Sequence, residues 1–185
     1  MTSERDIDNQ RIAGLYVSLS GPLLNYLARR VTPVEDAADL LSETFIVAHR
    51  RSGDIPADDE EARMWMFGVA RRVLANHHRG AGRRVALADV LRATIRLSYV
   101  DVPDQHSDVR EAILSLPRNQ RELIQLVHWE GFSIREAAQI LSTSESTARG
   151  RYERARKRLR VMLGTGDEGT AARPVSIEVV AAERE

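Results

Sequence analysis

The residues of this chain best suited to chemistry are arginines, and they fall into two clusters. From Arg63 to Arg84 the charges are Arg63, Arg71, Arg72, Arg79, Arg83 and Arg84, with no carboxylate among them. Near the end, Arg149, Arg151, Arg154, Arg156, Lys157, Arg158 and Arg160 are opposed only by Glu153. A planar guanidinium matches phosphate oxygens and the edge of guanine with two hydrogen bonds at once. Two separate basic islands are therefore the charge footprint of a nucleic-acid partner. The carboxylates gather elsewhere: Glu35, Asp36, Asp39, Glu43, Asp54, Asp58, Asp59, Glu60 and Glu61 are set against only Arg50 and Arg51. The 27 basic and 27 acidic residues of the 185-residue chain thus reach a net charge of zero by cancellation of blocks. Lys157 is the only lysine. That bias also arises from a GC-rich genome and carries no weight alone.

Other chemistries find no constellation. The absence of cysteine removes disulfides, thiolate metal sites and thiol nucleophiles together. His77 and His78 are neighbours, and adjacent helical residues point about 100° apart, a poor geometry for chelating one ion. His49, His106 and His128 are scattered, and Ser18, Ser20 and Ser42 lie in no nucleophile-elbow context. The acidic block has no histidine at ligand spacing. The chain is expected to be neither an enzyme nor a holder of a metal or cofactor. Its first residues, MTSERDIDNQR, are charged where a signal peptide needs an apolar run, and no stretch reaches the roughly 18 to 20 apolar residues of a membrane span. A soluble, cytoplasmic protein without membrane insertion is the expectation.

Elements that could position the arginines are helical nearly throughout. Ile12, Leu15, Tyr16, Leu19, Leu23 and Leu27 recur at three- and four-residue steps, a period that Gly21-Pro22 is expected to interrupt. Val34 to Arg50 repeats the period. A third helix is predicted from about Glu60 to Arg79, ended by Gly80-Ala-Gly82. Ala86 to Leu97 could form a short helix, whereas Tyr99 to Ser107 reads as an extended linker. Helix resumes from about Asp108 to Ser115, and Pro117 opens another that should stop at Gly131. The pattern gives an all-α fold of two small helical domains, residues 10–84 and 109–163. A flexible linker, 85–108, joins them, and a tail, 164–185, follows. The weak alternation of Val175 to Val180 cannot stand alone as a strand.

The segment from Glu130 to Leu159 has the form of a helix-turn-helix. Ser133 with Glu136 makes a capping box. Ile134, Ala137, Ala138 and Leu141 form a buried stripe, and Ser142-Thr-Ser144 supplies a turn and a second N-cap. The next helix hides Ala148, Tyr152, Ala155 and Leu159, which leaves Arg149, Gly150, Glu153 and Arg154 on the face that would enter a major groove. Cationic positions further along would meet phosphates. A solvated basic helix in an αα-hairpin is the plainer alternative.

Taken with the N-terminal half, these residues closely resemble the extracytoplasmic-function (ECF) group of bacterial sigma-70 family sigma factors. Leu116-Pro117, Gln120-Arg-Glu122, Glu130-Gly-Phe-Ser133, Arg135-Glu-Ala-Ala138, Ser146-Thr-Ala-Arg149 and Arg154-Ala-Arg-Lys-Arg-Leu159 follow region 4. Asp39-Leu-Leu-Ser-Glu-Thr-Phe45 resembles region 2.2. Trp65-Met-Phe-Gly-Val-Ala-Arg-Arg72 with Asn76 and Arg79 resembles regions 2.3 and 2.4.

The resemblance implies a promoter-specificity factor whose partners are core RNA polymerase (its β′ and β subunits), promoter DNA and an anti-sigma factor. By it, Asp36, Asp39, Ser42 and Glu43 dock on the polymerase. Arg63, Trp65, Arg71, Arg72, Asn76, Arg79 and Arg83 meet the opened −10 element, where stacking and phosphate contacts suit a single strand. Ser144, Thr147, Arg149, Gly150, Arg151, Glu153, Arg154 and Lys157 meet the −35 element. Trp65 and Phe67 suit stacking on bases, but aromatics at helical spacing suit a core equally well. The chain departs from the family pattern at Ser42 (commonly Gln), at Arg72 (commonly Asn) and at Gly150, which offers no side chain. The rival reading is a free-standing helix-turn-helix regulator, in which the acidic block followed by the first basic island would have no evident role.

Overall fold

The computed structural model describes residues 4–88 and 107–164. The linker from 89 to 106 and the tail from 165 lie outside the described residues, together with the expectations for Tyr99 to His106, for Val175 to Val180 and for most of the short helix from Ala86 to Leu97. Ser107, expected in the linker, instead opens a helix. Seven α-helices make up the described residues: α1 (Glu4–Ala28), α2 (Asp36–Arg50), α3 (Asp59–Ala88), α4 (Ser107–Ser115), α5 (Arg118–His128), α6 (Ile134–Ile140) and α7 (Glu145–Met162). A short 3-10 turn, Ser52–Asp54, joins α2 to α3. Among the described residues there is no strand, and the fold is all-α as expected.

In the N-terminal bundle, α1, α2 and α3 bury their apolar stripes against one another. Leu15, Leu19, Leu23, Tyr26 and Leu27 of α1 meet Leu40, Leu41 and Ala48 of α2 and Met66, Phe67, Val69, Ala70 and Val73 of α3. Thr44 is fully buried within this packing, and its hydroxyl donates to the Leu40 carbonyl at 2.7 Å, which spares it an unpaired polar atom.

Two helix boundaries differ from expectation. The first helix passes straight through Pro22. Proline in a helix interior costs about 3 kcal/mol, but Leu15 and Leu19 before it and Leu23, Tyr26 and Leu27 after it all pack into the same core. Burial of several large side chains at about 1.5–3 kcal/mol each outweighs that cost. The third helix likewise does not stop at Gly80 but continues to Ala88. Glycine ends a helix when it takes a left-handed conformation, and here only Gly131 and Gly164 have positive φ among the described glycines. A helical glycine costs only about 1 kcal/mol relative to alanine.

The C-terminal bundle follows its local signals closely. Pro117 is the N-cap of α5, which ends at His128, and Gly131 supplies the left-handed turn three residues later (φ 73°). Both bonds of the expected capping box are present: the Glu136 amide donates to Ser133 Oγ at 3.2 Å, and the Ser133 amide donates to the Glu136 carboxylate at 2.7 Å. These bonds hold the Glu136 carboxyl below its ordinary pKa. Ser142 takes the strained turn position (φ 52°), and Ser144 caps α7 by accepting from the Thr147 amide.

The two bundles share a core. Phe132, Ala137, Ala138, Ile140 and Leu141 join the same apolar cluster as Leu23, Met66 and Phe67, and Phe67 meets Phe132 edge-on with ring centroids 5.0 Å apart. A smaller cluster of Ile113, Leu116, Ile124 and Ala155 ties α4, α5 and α7 together.

Candidate nucleic-acid interface

The second basic island occupies the exposed side of α7. Ala148 and Ala155 are fully buried, Tyr152 and Leu159 are half-buried, and this stripe turns the remaining face outward. Small alanines let α7 lie close over α6 and α5. His128 and Tyr152 stack at 5.9 Å, and the tyrosine hydroxyl sits 3.0 Å from the imidazole. Burial and nearby Arg156 hold His128 below its ordinary pKa.

On the outward face, Arg149 is tied to Glu145 by hydrogen bonds of 2.6 and 3.0 Å, an i,i+4 pair in the first turns. Glu153 pairs with Arg156 at 3.7 Å. Arg151, Arg154 and Lys157 make no ion pair among the described residues. A Cβ added at Gly150 would meet only the Arg154 guanidinium, at 3.8 Å, so the missing side chain leaves open space on this face. Ser144 and Thr147 are engaged with each other at the cap, 2.8 Å apart. Ser144, Thr147, Arg149, Glu153, Arg154 and Lys157 are exposed, and Gly150 and Arg151 are half-buried, spread over the N-cap and the first four turns of α7.

The first island divides. Trp65, Arg72, Asn76 and Arg79, at steps of seven, four and three, share one side of α3. Arg72 and Arg79 are exposed, Trp65 is half-buried with Arg51 over its ring, and Arg79 donates to the Asn76 side-chain oxygen Oδ1. Arg63 and Arg71 face the other bundle instead. Arg63 donates to the backbone carbonyl of Glu130 and lies over the Phe132 ring at 4.0 Å, and Arg71 reaches Glu122 at 3.5 Å. Phe67 is fully buried, which settles it as core. Arg83 lies on the late turns of α3, and its side chain is outside the described residues.

Four side chains of the domain contact escape sequence reasoning. Glu130 is 3% exposed and pairs with Arg29 at 2.9 Å and with Arg30 at 3.4 Å, while Glu122 holds Arg71. Burial lowers the pKa of Arg30 and pushes Tyr26, under its guanidinium, up to about 12. The only sequence trace of this cluster is a lone Glu130 inside an apolar stretch.

The acidic face of α2 is open. Asp39, Ser42 and Glu43 are exposed, and the Ser42 hydroxyl donates to the Ala38 carbonyl within the helix at 3.0 Å. Asp36 is half-buried, 3.3 Å from His77 Nε2. No group of three or more potential ligand side chains could hold a metal among the described residues.

Two family models match the chain: "Sigma-70 region 2" over residues 15–84 and "Sigma-70, region 4" over residues 106–159. The ECF RNA polymerase sigma factor SigM of Mycobacterium tuberculosis is 30% identical over 153 residues, covering 81% of this chain and 76% of its own length. Among solved structures, the sigma factor RpoE bound to the anti-sigma factor NepR, from Bartonella quintana, aligns with a TM-score of 0.67 at 24% identity. It covers 85% of this chain and 99% of that one. CnrH, solved with the cytosolic domain of CnrY, aligns at 0.60 and 23% identity over 86% and 91% of the two chains.

The expected cytoplasmic location is corrected by these neighbours. RpoE is solved with the anti-sigma factor NepR, and CnrH with the cytosolic domain of CnrY. No described helix here is long and apolar enough to cross a membrane. That property of the chain does not decide its location. Both family models in their order, the helical geometry that separates an acidic face from two basic ones, and the 30% identical relative agree. The chain belongs to the ECF group of the sigma-70 family, the sigma factors that direct RNA polymerase to the −10 and −35 elements of promoters.

Proposed function

We propose that residues 10–84 and 109–163 are the two working halves of this factor, joined by a linker at 85–108 and followed by a tail at 164–185. The exposed carboxylates Asp39 and Glu43, with Asp36 and Ser42 beside them, dock on core polymerase through its β′ subunit. Trp65, Arg72, Asn76 and Arg79 meet the opened −10 strand, with Arg63, Arg71 and Arg83 adding phosphate contacts. The outer face of α7 reads the −35 duplex, with Arg149 and Arg154 at base edges and Arg151 and Lys157 on phosphates. An anti-sigma factor is the expected regulator, as in the complex described for RpoE.

The observation that carries the reading is the pair of outward cationic faces on two different bundles, separated by an acidic helix. Neither island is large, and carboxylates oppose both at long range. Specific binding then needs both islands placed by a partner, which makes the second contact intramolecular.

Reconstitution with core polymerase tests the whole reading. Run-off transcription should require the factor, and Asp39→Arg or Glu43→Arg should weaken association with core by roughly a few kcal/mol while helicity is unchanged. Nanomolar sequence-specific binding by the isolated chain at physiological salt would instead support a free-standing regulator.

A further inference from the structure

A cleft of about 430 Å³ is walled by the segment that follows α1 and by residues of α3, α4 and α5. Arg29, Arg30, His78, Arg118 and Arg121 line it, and Glu122 is the one carboxylate among them. Glu122 is shared by Arg118 at 3.2 Å and Arg71 at 3.5 Å, while Arg29 and Arg30 share Glu130 behind them. Five guanidinium groups therefore stand against two carboxylates, an excess of three positive charges before His78 is counted.

Donors outnumber acceptors here as well. Among the described residues, every buried side-chain polar atom without a hydrogen-bond partner is an arginine nitrogen of this cluster: Arg30 Nε and Nη2, Arg71 Nε and Arg121 Nε. The Arg30 side chain is 9% exposed, and its bonds to the Tyr26 carbonyl and to Glu130 use Nη1 alone. Arg121 gives its Nη2 to the Leu116 carbonyl. A buried N–H without an acceptor costs free energy, and four in one neighbourhood call for acceptor oxygens that the chain itself does not supply. Beside these cations, Val31, Leu74 and Leu114 add an apolar wall.

We propose that this cleft binds a nucleoside polyphosphate, its linked phosphates held by Arg30, Arg118 and Arg121 and its base laid against Val31, Leu74 and Leu114. A guanidinium takes two phosphate oxygens at once, and linked phosphates present enough oxygens for several such forks. A concave cleft of this volume, part apolar and with a few convergent charges, has the form of a small-ligand site. Duplex DNA instead meets a projecting face such as that of α7. His78 is exposed at the cleft. Burial, His77 and Arg118 hold its pKa below the ordinary value, against the opposing pull of the Arg30 backbone and Glu122. A phosphate beside it would favour the imidazolium and raise that value. None of this depends on the promoter reading.

Calorimetric titration of the full chain with ADP, with inorganic pyrophosphate and with a short DNA duplex tests the site. ADP should saturate one site per chain, and pyrophosphate should bind there more weakly. Arg118→Gln, at an exposed position, should weaken ADP at least about tenfold by removing a charge-assisted bond. Arg121→Gln should do likewise, with circular dichroism checking its fold. Arg50→Gln removes the same charge from an exposed position of α2 outside the cleft and should leave ADP binding unchanged. In a proton resonance titration, ADP should raise the pKa of His78 and leave that of exposed His49 in place. Absence of saturable binding, equal weakening by Arg118→Gln and Arg50→Gln, or an unmoved His78 overturns the site. Equal affinity for pyrophosphate and ADP overturns the part given to the apolar wall. Displacement of ADP by the duplex at equal phosphate concentration overturns the small ligand in favour of the DNA backbone.

Discussion

Helices α3 and α7 carry comparable runs of arginine and use them differently. Along α7, Arg149, Arg154 and Lys157 are exposed and Arg151 is half-buried, because the inward stripe is built from alanines, a tyrosine and a leucine. Along α3 the island splits. Arg72 and Arg79 remain outside, whereas Arg63 and Arg71 turn to a second bundle and find a carbonyl and a carboxylate there. The difference lies in position within the fold. Among the described residues the outward side of α7 carries no further helix, while α3 is sandwiched between α1 and α2 on one flank and α6 on another. Charge density along a sequence therefore measures how much cation is present. Which cations are free to meet DNA depends on what the helix packs against.

The sharpest way to break this contrast is to attack the two aromatics of α3. Phe67→Ala should cost about 3–5 kcal/mol in chemical denaturation, because it empties the junction of both bundles. Trp65→Ala, on the open side, should leave most of that stability and lower promoter opening instead. A large transcription defect with unchanged stability for Phe67→Ala would return that ring to the DNA surface.

On α7, Arg149→Ala or Arg154→Ala should cost on the order of 1–3 kcal/mol on the cognate −35 element and relax its preference. Arg160→Ala should weaken all promoters slightly and equally. Run-off transcription over a panel of −35 variants decides this. One common factor for every variant would mean that neither Arg149 nor Arg154 reads bases. Arg149 must also leave Glu145 to do so, and Glu145→Gln should therefore ease its contact.

Smaller still, Ser133→Ala should remove about 1 kcal/mol by opening the capping box of α6. It should loosen the seat of α7 without touching its cations, so thermal stability should fall while −35 preference stays. A changed preference would make α6 part of the reading surface.

The smallest effect concerns pH. His128 and His78 are both held below their ordinary value, mainly by burial. The unfolded chain then takes up protons first as pH falls below about 6.5. Stability is full above that value and declines as pH drops through the lowered folded values. His128→Gln should flatten part of this slope in a pH series of melting temperatures, whereas a steeper slope would assign the loss to carboxylates.

Much of this architecture was legible in the residues. Ser133 with Glu136, Ser144, Pro117 and the steps from Ala148 to Leu159 act within a few residues, and each formed as its spacing predicts. Pro22 and Gly80 were misleading, because a local preference of one to three kcal/mol yields to packing on both sides of it.

Apart from the courses of α1 through Pro22 and α3 through Gly80, the sequence by itself determined the helices, the caps of α6 and α7, the two basic islands and the family, since these reside in short-range periodicity and in motif order. Only the tertiary structure decided that Phe67 belongs to the core and that Glu130 draws Arg29, Arg30 and Arg63 to itself. Those contacts join residues 67 to 101 positions apart, and no periodicity in the sequence records which charge will meet which across such a span.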